Sequence, residues 1–411
     1  MKQETVDRLY QQTEYENNRT EPPEGFPALP DLPAGRYSTD EFYKLETEHL
    51  WPNAWLYGCH MDDLPEPGSY FLWDRIATTP IIITRAKDGE IRAFHNVCRH
   101  HGAALVDPKK PKGLAARLTC GYHGWTFGLD GSLIGIPDKR DFVDLDPSCR
   151  GLLQIKAEKL GKLIFINQNV DAPSLIESLG PMHEDLLDYD WGNSRVVESR
   201  QFHLGCNWKL GVENFLEAYH LPVIHQATVD ASFNYKGATN TLFPGGQSRM
   251  AMPVPEIDPG DMSYPRNSMK DIPTASDFAR KNIVTYTLFP NTFAPLTSTA
   301  LVFLMLFPID KDNARFDVMW FGPDWGEGER PEGWTMAIDH LDRTLAEDLE
   351  ALQLYTATRE SPAFKDLGVV LNYQERKIYN LHEGIDEAIG IDKIPEHLRV
   401  EPVLSKYHED E

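Results

Sequence analysis

Between Asn207 and Gln226 the sequence reads NWKLGVENFLEAYHLPVIHQ, which places Glu217, then His220 three residues on, then His225 five beyond that. Two neutral imidazoles brought to one point are a metal-binding pair. Residues three apart are neighbours on a helix, so Glu217 and His220 are expected on one helical face, with Glu217 accepting the ring N–H that a metal would leave free. Five residues carry His225 round the helix, away from that face. Pro222 has no N–H and restricts Leu221, so the helix is expected to break there and let His225 swing back. Asn214 and Tyr219 are candidates for supporting the ligands.

A third ligand has to come from elsewhere. From Trp334 to Arg359 the apolar spacing is helical, with Leu341, Leu345 and Leu352 on one stripe and Asp348 among them. A carboxylate on an apolar stripe is costly unless an arginine, backbone amides or a metal satisfies it. Asp348 is therefore the candidate, with Glu347 in reserve. Two histidines and one carboxylate leave open positions on Fe(II) for O2.

A second constellation stands earlier, in CRHHG (Cys98–Gly102) and CGYHGW (Cys120–Trp125). Cys98, His100, Cys120 and His123 form the pattern C-x-H, then C-x-x-H. Glycines in both loops let backbone approach a cofactor closely. A structural zinc site is the plainer alternative, but a one-residue Cys–His spacer is not usual zinc-finger spacing. A [2Fe–2S] centre with two thiolates on one iron and two imidazoles on the other accounts for the mixed set. Tyr122 and Trp125 would shield it. His95 and His101 fall outside the paired spacing, and Cys59, Cys149 and Cys206 read as ordinary residues.

These groups need scaffolds. Short β-type runs (WLYGC, SYFLW, PIIITRA, IRAFHNV) surround the cysteine loops, with Asp88-Gly89 marking a hairpin, so a small antiparallel β domain is expected. Residues 1–45 read as an N-terminal arm and helix of the catalytic domain: an irregular, proline-rich arm to about residue 35, laid over the surface or a neighbouring subunit, then a helix expected from Thr39 to Trp51. The β domain is placed at 46–170 and the catalytic domain at 171–411. Within the latter, strands are expected at 195–204, 283–289, 299–309 and 315–321. Helices are expected at 174–187, with a break at Pro181, and in the C-terminal stretch LNYQERKIYNLHEGIDEAIG. Residues 227–282, rich in Pro, Gly, Ser and Met, read as a long flap over the site.

The chain has 411 residues and a net charge of −23, which argues against nucleic acid and anionic membrane as partners. Its start carries mixed charges and no apolar core, and no apolar run is long enough to span a bilayer, so a cytoplasmic protein is expected. Five cysteines do not suggest a disulfide framework. A GxGxxG dinucleotide fingerprint is lacking, so NAD(P)H electrons would have to come through a partner.

The cluster loops, the stretches leading to them (PEPGSYFLW and RAKDGEIRAFHNV) and the NWK…EN…E-x-YH…H segment together resemble the α (oxygenase) subunits of Rieske non-haem iron oxygenases, the ring-hydroxylating oxygenases. The resemblance implies an α+β chain: a Rieske antiparallel β domain inserted in a helix-grip catalytic domain of antiparallel sheet plus helices. It implies one Rieske [2Fe–2S] cluster and one mononuclear Fe(II) per chain, O2 as co-substrate, a separate reductase with or without a ferredoxin, and a head-to-tail homotrimer. It selects Asp348, in a late ED motif, as the third ligand. It also makes Glu217 the bridge that carries electrons between His220 and a cluster histidine, His123, of the next subunit. The substrate class implied is a small aromatic or other cyclic compound, to be hydroxylated, dihydroxylated or demethylated. Glu at the bridge also resembles the subgroup acting on quaternary ammonium compounds, although EAYHL lacks that subgroup's Cys-rich context. An electron carrier using the cluster alone would leave the large second domain without a purpose.

Overall fold

The computed structural model describes residues 1–187, 189–226, 228, 234–254, 258 and 265–409. The chain forms two units: Pro52–Leu175, and Met1–Trp51 together with Ile176–Glu411. The first thus interrupts the second in sequence, with boundaries slightly later than the expected 46 and 170.

The inserted unit is built on a seven-stranded antiparallel sheet in the order Leu56–His60, Leu163–Asn167, Gln154–Leu160, Ile91–His95, Ile81–Arg85, Ser69–Trp73, Lys112–Leu114. Gly89, at φ +85°, makes the turn between two of these strands, where an Asp-Gly hairpin was expected. A three-stranded sheet of Leu118–Thr119, Thr126–Phe127 and Leu133–Gly135 carries the second cysteine loop. Leu72, Ile82, Phe94, Trp125 and Phe127 bury the space behind both loops.

The larger unit has its own seven-stranded antiparallel sheet, ordered Ser194–Leu204, Ala314–Pro323, Leu301–Pro308, Thr292–Leu296, Asn282–Leu288, Ser248–Pro253, Thr239–Leu242. Every residue of Leu301–Pro308 is buried, as a central strand covered on both faces must be. The helix Trp208–Leu216 lies on that strand, and the long helix Glu332–Thr358 packs beside it. Gly211 sets how closely the first helix can approach, because a Cβ there would stand 3.0 Å from the side chains of Leu204 and Leu306. The C-terminal helix Arg376–Ile389 forms within the expected stretch, and the helix at 174–187 divides into Leu175–Leu179 and Met182–Leu186.

Two expectations are corrected. Of the 227–282 flap, residues 227, 229–233, 255–257 and 259–264 lie outside the described residues, but the rest is not a long loop. It supplies the last two strands at one edge of the sheet, whose polar threonines, asparagine and arginine are buried and hydrogen-bonded, so no apolar alternation marks them. The arm, too, is not irregular throughout: Gln3–Asn18 is a helix. Its buried face holds Thr5, Leu9 and Glu16 and is fixed by distant partners, with Glu16 accepting from Tyr373 and Gln374 at 3.1 Å.

The helix Trp208–Leu216 is held at its start by an ion pair. Lys209 Nζ lies 2.6 Å from Glu46 Oε1, and neither side chain has any solvent exposure. Trp208 Nε1 donates to the other oxygen of Glu46 at 3.2 Å. Removing one member of such a pair strands the other charge in the core. Lys209→Met is expected to lower stability by about 3 kcal/mol or more in urea unfolding, whereas Glu46→Leu/Lys209→Met together recover most of that loss.

Candidate metal centres

In the inserted unit the two cysteine loops close in the same way. Cys98 N–H donates to Ala103 O at 2.8 Å and Gly102 N–H to Cys98 O at 3.0 Å; Cys120 N–H donates to Trp125 O at 2.8 Å and Gly124 N–H to Cys120 O at 3.0 Å. Gly102 and Gly124 take φ of +80° and +71°, a turn that other residues resist. Each loop therefore presents its cysteine inward and its histidine at the tip. Both thiols are 3% exposed.

The rings of His100 and His123 have centroids 4.7 Å apart, and His100 stacks on Trp125 at an interplanar angle of 6°. His100 Nδ1 is buried without a hydrogen-bond partner. His101, beside it, is exposed, which favours His100 as the member facing inward. Tyr122 is 68% exposed, so it does not shield the site within this chain; Trp125 does.

Burial pushes the Cys98 thiol up, so its thiolate needs a cation at that point. Burial, with His101 and His123 nearby, keeps His100 low and hence neutral, the form in which imidazole binds metal. The orphaned nitrogen, the buried thiols and the mixed donor set fit a [2Fe–2S] cluster.

In the larger unit the expected helix through Glu217 and His220 does not form. The helix Trp208–Leu216 ends before Glu217, which is extended at φ −134°, ψ 168°. A new four-residue helix, Leu221–Ile224, begins after His220 with Pro222 in its first turn, where a missing N–H costs nothing. Glu217 reaches His220 by folding back across the gap. Its Oε1 contacts His220 Nδ1, and its Oε2 accepts the N–H of Tyr219 and, at 3.0 Å, that of His220. The expected contact is thus present, made by a chain reversal in place of a shared helical face. The side chain of Tyr219 is 62% exposed, and only its backbone takes part.

One ligand atom from each of His220, His225 and Asp348 lies within 4.8 Å of the others. Ligands about 2.1 Å from a shared ion stand at most about 4.2 Å apart, a limit that both histidine nitrogens meet in their distance to Asp348. His225 Nε2 is 3.0 Å and His220 Nε2 3.7 Å from Asp348 Oδ1. Each histidine has a carboxylate on its far nitrogen: Glu217 on His220, and Glu347 on His225 at 2.8 Å. Glu347, held in reserve as a ligand, thus occupies the position behind one, and Thr228 donates to it. Burial alone would lower His225, but Asp348 and Glu347 outweigh it and raise it. Asn214 Nδ2 donates to Asp348 Oδ1 at 3.0 Å, which fixes the carboxylate.

A buried polar network that sequence reasoning missed lies one residue away. Arg36 Nε donates to His382 Nδ1 at 2.8 Å, which leaves the ring proton on Nε2, 2.8 Å from Glu213 Oε1. Tyr37 OH donates to Glu213 Oε2 at 3.2 Å, and Arg36 pairs with Asp386 at 2.6 Å. The adjacent Glu213-Asn214 pair was a signal in the sequence, but its partners are over 160 residues away.

A mixed thiolate–imidazole set and a two-histidine, one-carboxylate set are the ligand types of an iron–sulfur centre and of a mononuclear iron. Residues 54–151 match the family model of the Rieske [2Fe-2S] domain, and residues 191–391 that of the ring hydroxylating alpha subunit (catalytic domain). The chain belongs to the Rieske non-haem iron oxygenases, among their α (oxygenase) subunits.

It is 31% identical over 204 residues to the glycine betaine monooxygenase oxygenase subunit of Chromohalobacter salexigens, an alignment covering 50% of this chain and 45% of that one. It is 32% identical over 190 residues to the biphenyl 2,3-dioxygenase subunit alpha of Rhodococcus jostii, covering 45% and 41%. The chain thus spans less than half the length of these curated relatives. The fold matches a quaternary ammonium Rieske monooxygenase with a TM-score of 0.72 at 21% identity, over 95% of this chain and 99% of that one. It matches naphthalene 1,2-dioxygenase from Rhodococcus sp. at 0.71 and 21%, over 94% and 98%.

Two outcomes are expected. Asp348→Ala should lower iron from about three to about two per chain while leaving the visible spectrum of the cluster intact. Burial pushes Glu213 up to about 7 from 4.5, against the hydrogen bond from Tyr37 and the charges of Lys209 and Arg36. The folded protein then holds a proton that the unfolded chain releases, so this contribution to stability is full below pH 4.5 and is lost as pH rises through 7. Glu213→Gln should lack that slope, its stability relative to the parent gaining about 3 kcal/mol over the interval in denaturation measured at each pH.

Proposed function

We propose that this chain is the terminal oxygenase of a system that takes electrons from a separate NAD(P)H-dependent reductase and places oxygen from O2 into a small organic substrate. The observation that carries the reading is the meeting of His220, His225 and Asp348 in a chain that also holds the Cys98, His100, Cys120, His123 set. A [2Fe–2S] cluster at the latter and Fe(II) at the former would supply one-electron transfer and O2 chemistry.

The chain's own residues do the positioning. Glu217 and Glu347 hold the Nδ1 side of the two histidines, so both Nε2 atoms face Asp348, which Asn214 holds in turn. In a homotrimer, Glu217 would also link to His123 of a neighbouring copy and join the two centres there. Beside His220, Ala218, Leu221, Tyr235, Met250 and Met252 form an apolar cluster that would exclude water and receive an uncharged ring.

That cluster supports an aromatic or other cyclic substrate. A quaternary ammonium substrate is the second reading, supported by glutamate at position 217 and by the named relative that acts on glycine betaine. A cation would call for more aromatic faces than the one tyrosine that this cluster holds among the described residues. A bare electron carrier would have no use for the triad. The activity is read as cytoplasmic, with no nucleic acid or membrane as partner; no helix among the described residues is long and apolar enough to cross a membrane.

The test is a substrate panel of aromatic, alicyclic and quaternary ammonium compounds with a surrogate reductase, scored by coupled O2 uptake and product mass. Product from the cyclic set is expected. Glu217→Gln should keep both metal sites filled yet cut product formation by at least about a hundredfold; full turnover in that variant removes Glu217 from the electron path.

A further inference from the structure

The loop joining the two cluster arms runs against the charge of the whole chain. Arg99, Lys109, Lys110, Lys112 and Arg117 face a single acid, Asp107, between residues 99 and 117, a local balance of +4 in a protein of −23. Acids outnumber bases 63 to 40, so a surface cation has no shortage of partners. Lys112 takes one, Asp63 at 3.0 Å. Among the described residues, the side chains of Arg99, Lys109, Lys110 and Arg117 make no ion pair or hydrogen bond. Lys109, Lys110 and Arg117 are exposed.

The turn is also rigid. Asp107 caps it, its carboxylate accepting the N–H of Lys109 at 2.9 Å and its carbonyl that of Lys110 at 2.8 Å. The next residues, Lys112–Leu114, are tied to Ser69–Phe71 as the edge strand of the sheet. Lysine on an edge strand discourages sheet-to-sheet association, which accounts for Lys112. It does not account for Lys109 and Lys110, which precede the strand, nor for Arg99 and Arg117, which flank the ligands His100 and Cys120.

We propose that this loop, centred on Lys109 and Lys110, is the docking surface for an electron-donor protein with an acidic face. The proposal rests on the oxygenase reading, since it needs a donor to exist. Fixed, unpaired cations on the loop that carries the cluster would steer a negative partner to the one place where electron transfer is useful, and would do little for affinity elsewhere. Salt sensitivity is the signature of such steering.

The experiment uses the holoenzyme and an acidic plant-type [2Fe–2S] ferredoxin, pre-reduced, with cluster reduction followed by stopped-flow absorbance. The second-order rate should fall steeply as NaCl rises from 20 to ~300 mM. The Lys109→Glu/Lys110→Glu variant should be slower by about tenfold or more at low salt, with most of the salt dependence gone, and Lys109→Gln/Lys110→Gln should lie between. Photochemical reduction by deazaflavin and the cluster's visible spectrum should be the same in all three, which shows that the variants fold and keep their cluster. Equal ferredoxin rates in parent and variants, or a parent rate that rises with salt, would overturn the proposal. A chain that shows no cluster absorbance in any form would instead sink the oxygenase reading itself.

Discussion

The ion pair between Lys209 and Glu46 fixes the element from which every distance at the mononuclear site is measured. As a source of net stability it is poor, since the cost of taking two charges out of water roughly cancels their attraction. What it contributes is uniqueness. With both groups fully buried, any sliding or rotation of the helix Trp208–Leu216 would leave a bare charge in the core. Gly211 on the sheet side removes the remaining freedom. The helix end is thereby set, and with it Asn214, the reversal at Glu217 and the start of the turn that holds His220 and His225.

Behind the ligands the structure repeats one device. Each imidazole has a carboxylate on its other nitrogen, and the metal-side carboxylate has an amide. The pattern fixes tautomers as well as positions, and so leaves both Nε2 lone pairs available. The neighbouring network of Arg36, Tyr37, Glu213 and His382 does the same where no metal is needed: the arginine decides which ring nitrogen is protonated, and the rest follows. Both arrangements are polar, buried and satisfied almost throughout, which is the condition under which such groups rigidify a site.

How much of this could be read from the residues depended on whether the determining contacts were local. Loop geometry was legible, because CRHHG and CGYHGW carry cysteine, histidine and turn glycine within a few positions. Strands such as Leu301–Pro308 were legible because burial on both faces makes them uniformly apolar. Asp348 was legible as a polar residue out of place on an apolar stripe. The helix Gln3–Asn18 was not, since the groups that bury its Glu16 stand at Tyr373 and Gln374. Nor were the strands Thr239–Leu242 and Ser248–Pro253, which bury Thr239, Asn240, Thr241, Ser248 and Arg249 beside their apolar residues. The helical face proposed for Glu217 and His220 failed for a different reason. Spacing of three fits a helix, but it also fits a carboxylate folding back to cap a new turn, and Pro222 favours the second.

The contact at Gly211 has an evolutionary corollary. Where the helix Trp208–Leu216 meets the strands, even a methyl group at this position would ask Leu204 and Leu306 to give way. The apolar cluster that includes Ala218 and Leu221 also holds Met250 and Met252, flexible thioethers that accommodate change in what they touch. Mutational drift is therefore channelled: change is costly where helix and strands meet at Gly211 and cheaper among the methionines.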